Sequence, residues 1–162
     1  MPLQTLDDLF VHFLRDIYYT EKQILKALPK MARKADSKKL REAFEHHQEE
    51  TEGHVANLEK VFETLGMPAR GVTCQAIEGI LEEGKEIMSD AQDADARDAG
   101  MIAAAQAVEH YEITRYGTLI AWANQLGKGD VVPLLQANLE QEYAADRKLT
   151  DLAQKALNRQ AA

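Results

Sequence analysis

The sequence predicts an all-α protein: a four-helix bundle with one long crossover that carries a short extra helix. Three observations carry this prediction. Apolar residues recur at helical spacing through four long stretches, without a convincing strand pattern among them. The connections between the stretches run short, long, short. Each apolar stripe is also interrupted near its middle by ionisable residues that keep its register.

The first helix starts near Thr5, whose hydroxyl can cap the opening turn, and Asp7 and Asp8 complement the positive end of the dipole. Its stripe runs Leu6, Leu9, Phe10, Phe13, Leu14, Ile17, Ile24, Leu25, Leu28, and Pro29 is a candidate kink. The second helix opens at Ser37, carries Leu40, Phe44, Leu58, Val61, Phe62 and Leu65, and stops at Gly66 and Pro68. A short amphipathic helix is expected over residues 75–88, with Ile77, Ile80, Leu81 and Ile87 on one side. A polar linker, residues 89–95, follows it and ends in helix-capping residues. The third long helix has Ile102, Ala105, Ile113, Tyr116, Leu119, Ile120 and Ala123 in register and ends at Leu126-Gly127. The fourth can begin at Asp130, because its first-turn amides lack intrahelical partners and so tolerate Pro133; its stripe is Leu135, Leu139, Leu149, Leu152, Ala156. Short turns pair the first two and the last two long helices, while the middle segment crosses the length of the bundle. One such crossover is ferritin-like connectivity.

The bulk numbers are consistent with this. A chain of 162 residues, 45% of them hydrophobic, is expected to form one domain, residues 1–162, around one core. The net charge of −8, with no basic tail, disfavours nucleic acid as a partner. No apolar run approaches the ~20 residues of a membrane span, and Met1 to Leu9 does not read as a signal peptide. Cys74 is the single cysteine, so no intrachain disulfide or thiolate cluster is expected, and the thiol reads as a packing residue. A cytoplasmic, reduced setting follows as the simplest expectation.

The interruptions carry the chemistry. Glu21 sits between Ile17 and Ile24; His47, Glu50 and His54 lie between Phe44 and Leu58. Glu109 and Glu112 lie between Ala105 and Tyr116, and Glu142 and Asp146 between Leu139 and Leu149. Residues three or four apart share a helix face, so each set points where its apolar neighbours point. Any one of these alone reads as a boundary residue or a hydrogen-bonded core imidazole. Four helices interrupted at mid-length read differently, because buried carboxylates need compensation and no lysine or arginine occupies these stripes. A cation from solution would supply it. The four charges of Glu21, Glu50, Glu109 and Glu142 match two divalent ions, and oxygen-rich ligation with imidazole favours iron, or manganese, over zinc. His46 and His110 point off the stripe; Tyr18, one turn from Glu21, is a packing residue or an outer donor. Gly53, Gly100 and Gly117 each cost a helix roughly 1 kcal/mol relative to alanine, which suggests close helix approach.

At Glu49-Glu50-Thr51, Val108-Glu109-His110-Tyr111-Glu112, Tyr116-Gly117-Thr118-Leu119 and Leu126-Gly127 the chain resembles the YciE/YciF stress-protein family, over nearly its whole length. The resemblance implies a ferritin-like fold, a homodimer, a bacterial stress setting and a rubrerythrin-like di-metal site. On that pattern Glu21 and Glu109 match the lone glutamates, Glu112 the extra rubrerythrin glutamate, and Glu50 and Glu142 the glutamates of two Glu-x-x-His pairs. The chain departs at the histidines: Gly53 and Ala145 stand three residues on, with His54 and Asp146 one further. The expected function is a di-iron protein that oxidises or sequesters iron or consumes peroxide or oxygen, with a separate protein as electron donor. The alternative is a non-enzymatic stress or structural bundle. No catalytic residue is assigned, and a DNA-protecting mini-ferritin is disfavoured by the charge.

Overall fold

A computed structural model describes residues 2–162. Its helices are α1 Leu6–Lys34, α2 Lys38–Thr64, α3 Gln75–Asp90, α4 Ala94–Gln125, α5 Val132–Leu152 and a short α6 Asn158–Ala161. A 3₁₀ turn, Gly129–Val131, leads into α5, and a π-helical turn, Ala153–Leu157, joins it to α6. No strand occurs among the described residues.

Local chemistry sets the boundaries. Thr5 caps α1 in a reciprocal box with Asp8, and Ser37 and Asp93 cap α2 and α4 through their side chains. α2 and α4 end alike. Gly66 and Gly127 adopt φ of 67° and 69°, which only glycine takes without strain. This lets Met67 donate to the Phe62 carbonyl and Lys128 to the Ala123 carbonyl. α1 runs through Pro29 to Lys34. Cys74 is buried and accepts from the Ile77 amide at the start of α3.

Side-chain pairs give the topology. Tyr18 meets Glu59 and Glu21 meets His54, so α1 and α2 are antiparallel. Gln106 meets Thr150 and Tyr116 meets Asn138, so α4 and α5 are antiparallel. Asp98 meets Asp36 and Ser37, while Lys128 at the other end meets Asp7, so α4 also runs against α1. α2 therefore finishes at the opposite end from where α4 begins, and α3 spans the gap.

Asp98 makes the first turn depend on the third long helix. Its carboxylate, 1% exposed, accepts the Asp36 amide at 2.9 Å and the Ser37 amide at 2.7 Å. Ser37 is the N-cap of α2, so its amide is one of the donors a helix start leaves without an intrahelical partner, and the Asp36 amide directly precedes it.

α3 packs on α1 and α4, with Ile77 fully buried and Ile80 and Leu81 half-buried against the core. Its apolar side is thus covered by its own bundle. The large exposed apolar side chains among the described residues are instead Leu3 and Tyr143. Of Gly53, Gly100 and Gly117, close approach explains one. A Cβ on Gly100 would lie 2.5 Å from Ile87 Cγ2 of α3, whereas Gly53 and Gly117 face open space within 4 Å.

The core divides into two. One half gathers Ile24, Leu28, Phe44, Met101, Ile102 and Leu149; the other gathers Phe10, Leu14, Leu58, Phe62, Leu119 and Leu135. Between them the inward positions are Glu21, His47, His54, Glu109, Glu112 and Glu142, all buried. The interruptions in the four stripes form one polar layer across the waist of the bundle.

Candidate metal centre

Two ligand sets share a carboxylate. His47, Glu109, Glu112 and Glu142 each offer an atom within 4.8 Å of the others; Glu21, His54 and Glu142 do the same. α1 therefore gives one residue, α2 two, α4 two and α5 one. Glu21, His54, Glu112 and Glu142 are 0% exposed.

The polar atoms here are crowded but not mutually satisfied. His47 Nε2 lies 3.0 Å from Glu109 Oε1, and His54 Nδ1 lies 2.9 Å from Glu142 Oε1 and 3.2 Å from Glu21 Oε1. Neither nitrogen is aligned for a hydrogen bond. Among the described residues eleven buried side-chain polar atoms lack a partner, and eight of them belong to these six residues. Such atoms normally signal a missing ion or water, since each costs roughly 1–3 kcal/mol unpaired. Both Glu112 oxygens and both Glu142 oxygens are among them.

Outer groups fix the orientation. His54 Nε2 lies 2.8 Å from Gln141 Oε1, which holds the proton on that nitrogen and leaves Nδ1 facing the carboxylates. His47 Nδ1 lies 3.1 Å from Glu50 Oε2, so its Nε2 faces the cluster in the same way. Tyr116 donates to Glu21 Oε1 at 2.5 Å and accepts from Asn138, whose amide oxygen accepts from Asn57. Thr51, one turn from His47 on the buried face of α2, donates to the His47 carbonyl.

The electrostatics are those of too many acids in a dry place. Burial pushes Glu142 well above the usual carboxylate range, reinforced by Glu109 and Glu21; burial does the same to Glu112, reinforced by Glu142, Glu21 and Glu109. Burial also opposes the charging of His47, but Glu109, Glu50 and Glu142 outweigh it and hold the imidazole well above its usual range. His54 is raised on the same balance by Glu21, Gln141 and Glu50. Glu21 is pulled the other way: burial raises it, but His54 and Tyr116 bring it below the usual range.

Two residues expected as ligands lie outside these sets. Glu50 is hydrogen-bonded to His47 and lies 3.2 Å from the ring of the exposed His46. Asp146 is bonded to Gln106 at 3.2 Å and to the exposed His110 at 3.1 Å. Tyr18 turns away to Glu59 and packs on Phe62. Sequence reading took Tyr116 and the α5 stripe for plain packing and did not single out Asn138, Gln141 or Asn57. The available signal was Tyr116 standing four residues after Glu112, and Asn138 four before Glu142, on the faces those glutamates occupy.

Comparison with known proteins agrees with the architecture. Residues 5–162 match the family described as "Domain of unknown function (DUF892)". Protein YciF of Escherichia coli (strain K12) is 44% identical over 162 residues, covering 99% of this chain and 98% of that protein. The crystal structure of the E. coli stress protein YciF superposes with a TM-score of 0.92 at 44% identity, over 97% of this chain and 99% of that one. The solved structure of YcfI from Rhodopseudomonas palustris is 50% identical with a TM-score of 0.90, covering 91% and 94% of the two chains. A Xanthomonas campestris protein, 21% identical with a TM-score of 0.74, shares the fold. The chain belongs to the DUF892 family, the family of the stress protein YciF.

Proposed function

We propose that this protein binds two iron ions, or manganese in their place, at the waist of the bundle and acts as a di-metal carboxylate protein of the stress response. The observation that carries the reading is the set of eight unpartnered buried atoms on Glu21, His47, His54, Glu109, Glu112 and Glu142. Four buried carboxylates with two imidazoles, and no lysine or arginine among them, are what a pair of hard-to-borderline cations requires. Glu142 serves both ligand sets and is the natural shared ligand.

Bound there, iron would supply one-electron redox chemistry, suited to iron oxidation or to removal of peroxide or oxygen. The chain's own residues do the rest. Gln141 and Glu50 set the two imidazoles, and Tyr116 holds Glu21 through a hydrogen bond. Glu50 is placed to orient His47, and Asp146 to hold α5 on α4, rather than to ligate. Homodimerisation is proposed on the family resemblance alone, because the apolar side of α3 is already covered. The net charge supports an acidic surface that avoids nucleic acid, and no described helix is long and apolar enough to cross a membrane.

Elemental analysis of protein loaded with Fe(II) without oxygen and then desalted tests the reading. Close to two ions per chain is the expected result. No more metal than a buffer control, with identical melting of chelated and loaded samples, refutes it. Peroxide consumption by loaded protein then separates a working centre from a metal that only stabilises.

A further inference from the structure

A second feature touches the polar layer from the α3 end. A cavity of about 110 Å³ lies among α1, α2, α4 and α5, under Leu81 of α3. Its walls are apolar, with Ile24, Leu28, Phe44, Ala105, Val108 and Leu149 forming the body. Its inner end is polar and consists of His47 and Glu109, two members of the four-residue ligand set, with Glu50 beside His47. The rim residues that reach solvent, His46, Ala144 and Lys148, lie on α2 and α5, so the cavity opens between those helices.

We propose that this cavity binds a small uncharged apolar molecule, in the size range from dioxygen to xenon, against the His47–Glu109 side of the metal centre. Three observations carry it. The apolar body offers no hydrogen-bond partner, so ions and strongly hydrated molecules lose more in desolvation than they regain. An apolar cavity of about 150 Å³ takes up benzene or xenon, and about 110 Å³ leaves room for the smaller of these. Alanine stands at positions 27, 43, 105, 144 and 145 of the lining, where larger side chains would fill the space. The functional meaning of the site, an apolar co-reactant held beside the metal, rests on the di-metal reading; its occupancy does not.

Xenon is the probe. Hyperpolarised ¹²⁹Xe NMR is recorded on chelated wild-type protein and on Ala105→Leu, with Ala145→Leu as a second filling variant if the first melts far below wild type. The expected result is a xenon shift that titrates with wild-type protein and falls at least tenfold in a filled variant whose melting is near wild type. No protein-dependent shift, or a shift that neither variant reduces, overturns the proposal. A second arm uses Mn(II)-loaded protein, in which a xenon atom beside the ligands relaxes faster than in the chelated form. Bound manganese without faster relaxation places the occupant elsewhere and also overturns it. If the chelated protein binds xenon in the alanine-lined space but no metal ever loads, the di-metal reading falls and the apolar site stands.

Discussion

Glu142→Gln tests the waist most directly, because that carboxylate belongs to both ligand sets. Glutamine keeps the shape and removes the charge. In the metal-free chain Glu142 faces three carboxylates, Glu21, Glu109 and Glu112, and two imidazoles, His47 and His54, all within 4.8 Å in their sets. At an effective dielectric of about 20, one like-charge pair at that separation costs about 3.5 kcal/mol. The two imidazoles lie closer, at 2.9 Å and 3.6 Å, and offset much of this, but burial and the neighbouring carboxylates still hold Glu142 well above its usual range. Protonation relieves part of this, so Glu142→Gln is expected to stabilise chelated protein by about 1–3 kcal/mol, or roughly 2–12 °C for a chain of this length. The loaded state moves the opposite way. Two sites, each saturated at about 100 times its dissociation constant, stabilise wild type by about 5 kcal/mol. The variant leaves sets of three and two ligands and should lose most of that gain. The assays are metal stoichiometry and paired melting curves of chelated and Fe(II)-loaded samples without oxygen. Full two-ion occupancy in the variant would refute the shared-ligand assignment, and a chelated variant that melts below wild type would refute the electrostatic argument.

Glu50→Gln is expected to weaken metal binding about 10–100-fold yet keep two ions at saturation, as loss of an orienting partner does; a drop to one ion in a metal titration would make Glu50 a ligand. The metal-free protein should lose stability as pH rises from about 5 to 8 in chemical denaturation. Groups held above their ordinary values, 4.5 for Glu112 and Glu142 and 6.5 for His47 and His54, favour the folded state below those values and lose that contribution as pH climbs through the raised ones. Glu21 and Glu50, held below 4.5, oppose this only in acid, so stability rising between pH 5 and 8 would contradict the assigned directions. Gly100→Ala should melt lower than wild type, because overpacking against Ile87 at about 1–3 kcal/mol outweighs about 1 kcal/mol of helix propensity. Gly53→Ala, with nothing within 4 Å of the added carbon, should melt higher; equal shifts would remove close approach as the explanation.

Much of the site could be read from spacing because each long helix announces its own inward face. Glu21, Glu109, Glu112 and Glu142 stand in register with fully buried neighbours, and all four prove buried in one layer. α2 was harder. His47 and His54 are seven residues apart and nearly coincide around the helix, whereas Glu50 lies about 60° from His47, at the edge of the face. Spacing alone kept all three. Asp146 stood in register with Leu139 and Leu149, and nothing in α5 excluded it. What diverts it is Gln106 and His110 on α4, a matter of how two helices are rotated about each other. The crossover was legible from loop lengths and α3 from its periodicity. Which way α3 faced was not, because an amphipathic helix looks the same against its own bundle as against a partner.

The capping of the α1–α2 turn by Asp98 has a consequence for how the chain comes together. The two amides it satisfies lie 62 and 61 residues earlier in sequence. When α1 and α2 first emerge in synthesis, the two turn amides therefore lack the carboxylate that takes them in the finished fold. The first hairpin is not a finished unit. It is completed when the crossover has been laid down and α4 docks, so closure of that turn reports long-range assembly rather than local helix pairing. An Asp98→Ala chain would still write the same helices, but its first turn would close without the lock that ties one half of the bundle to the other.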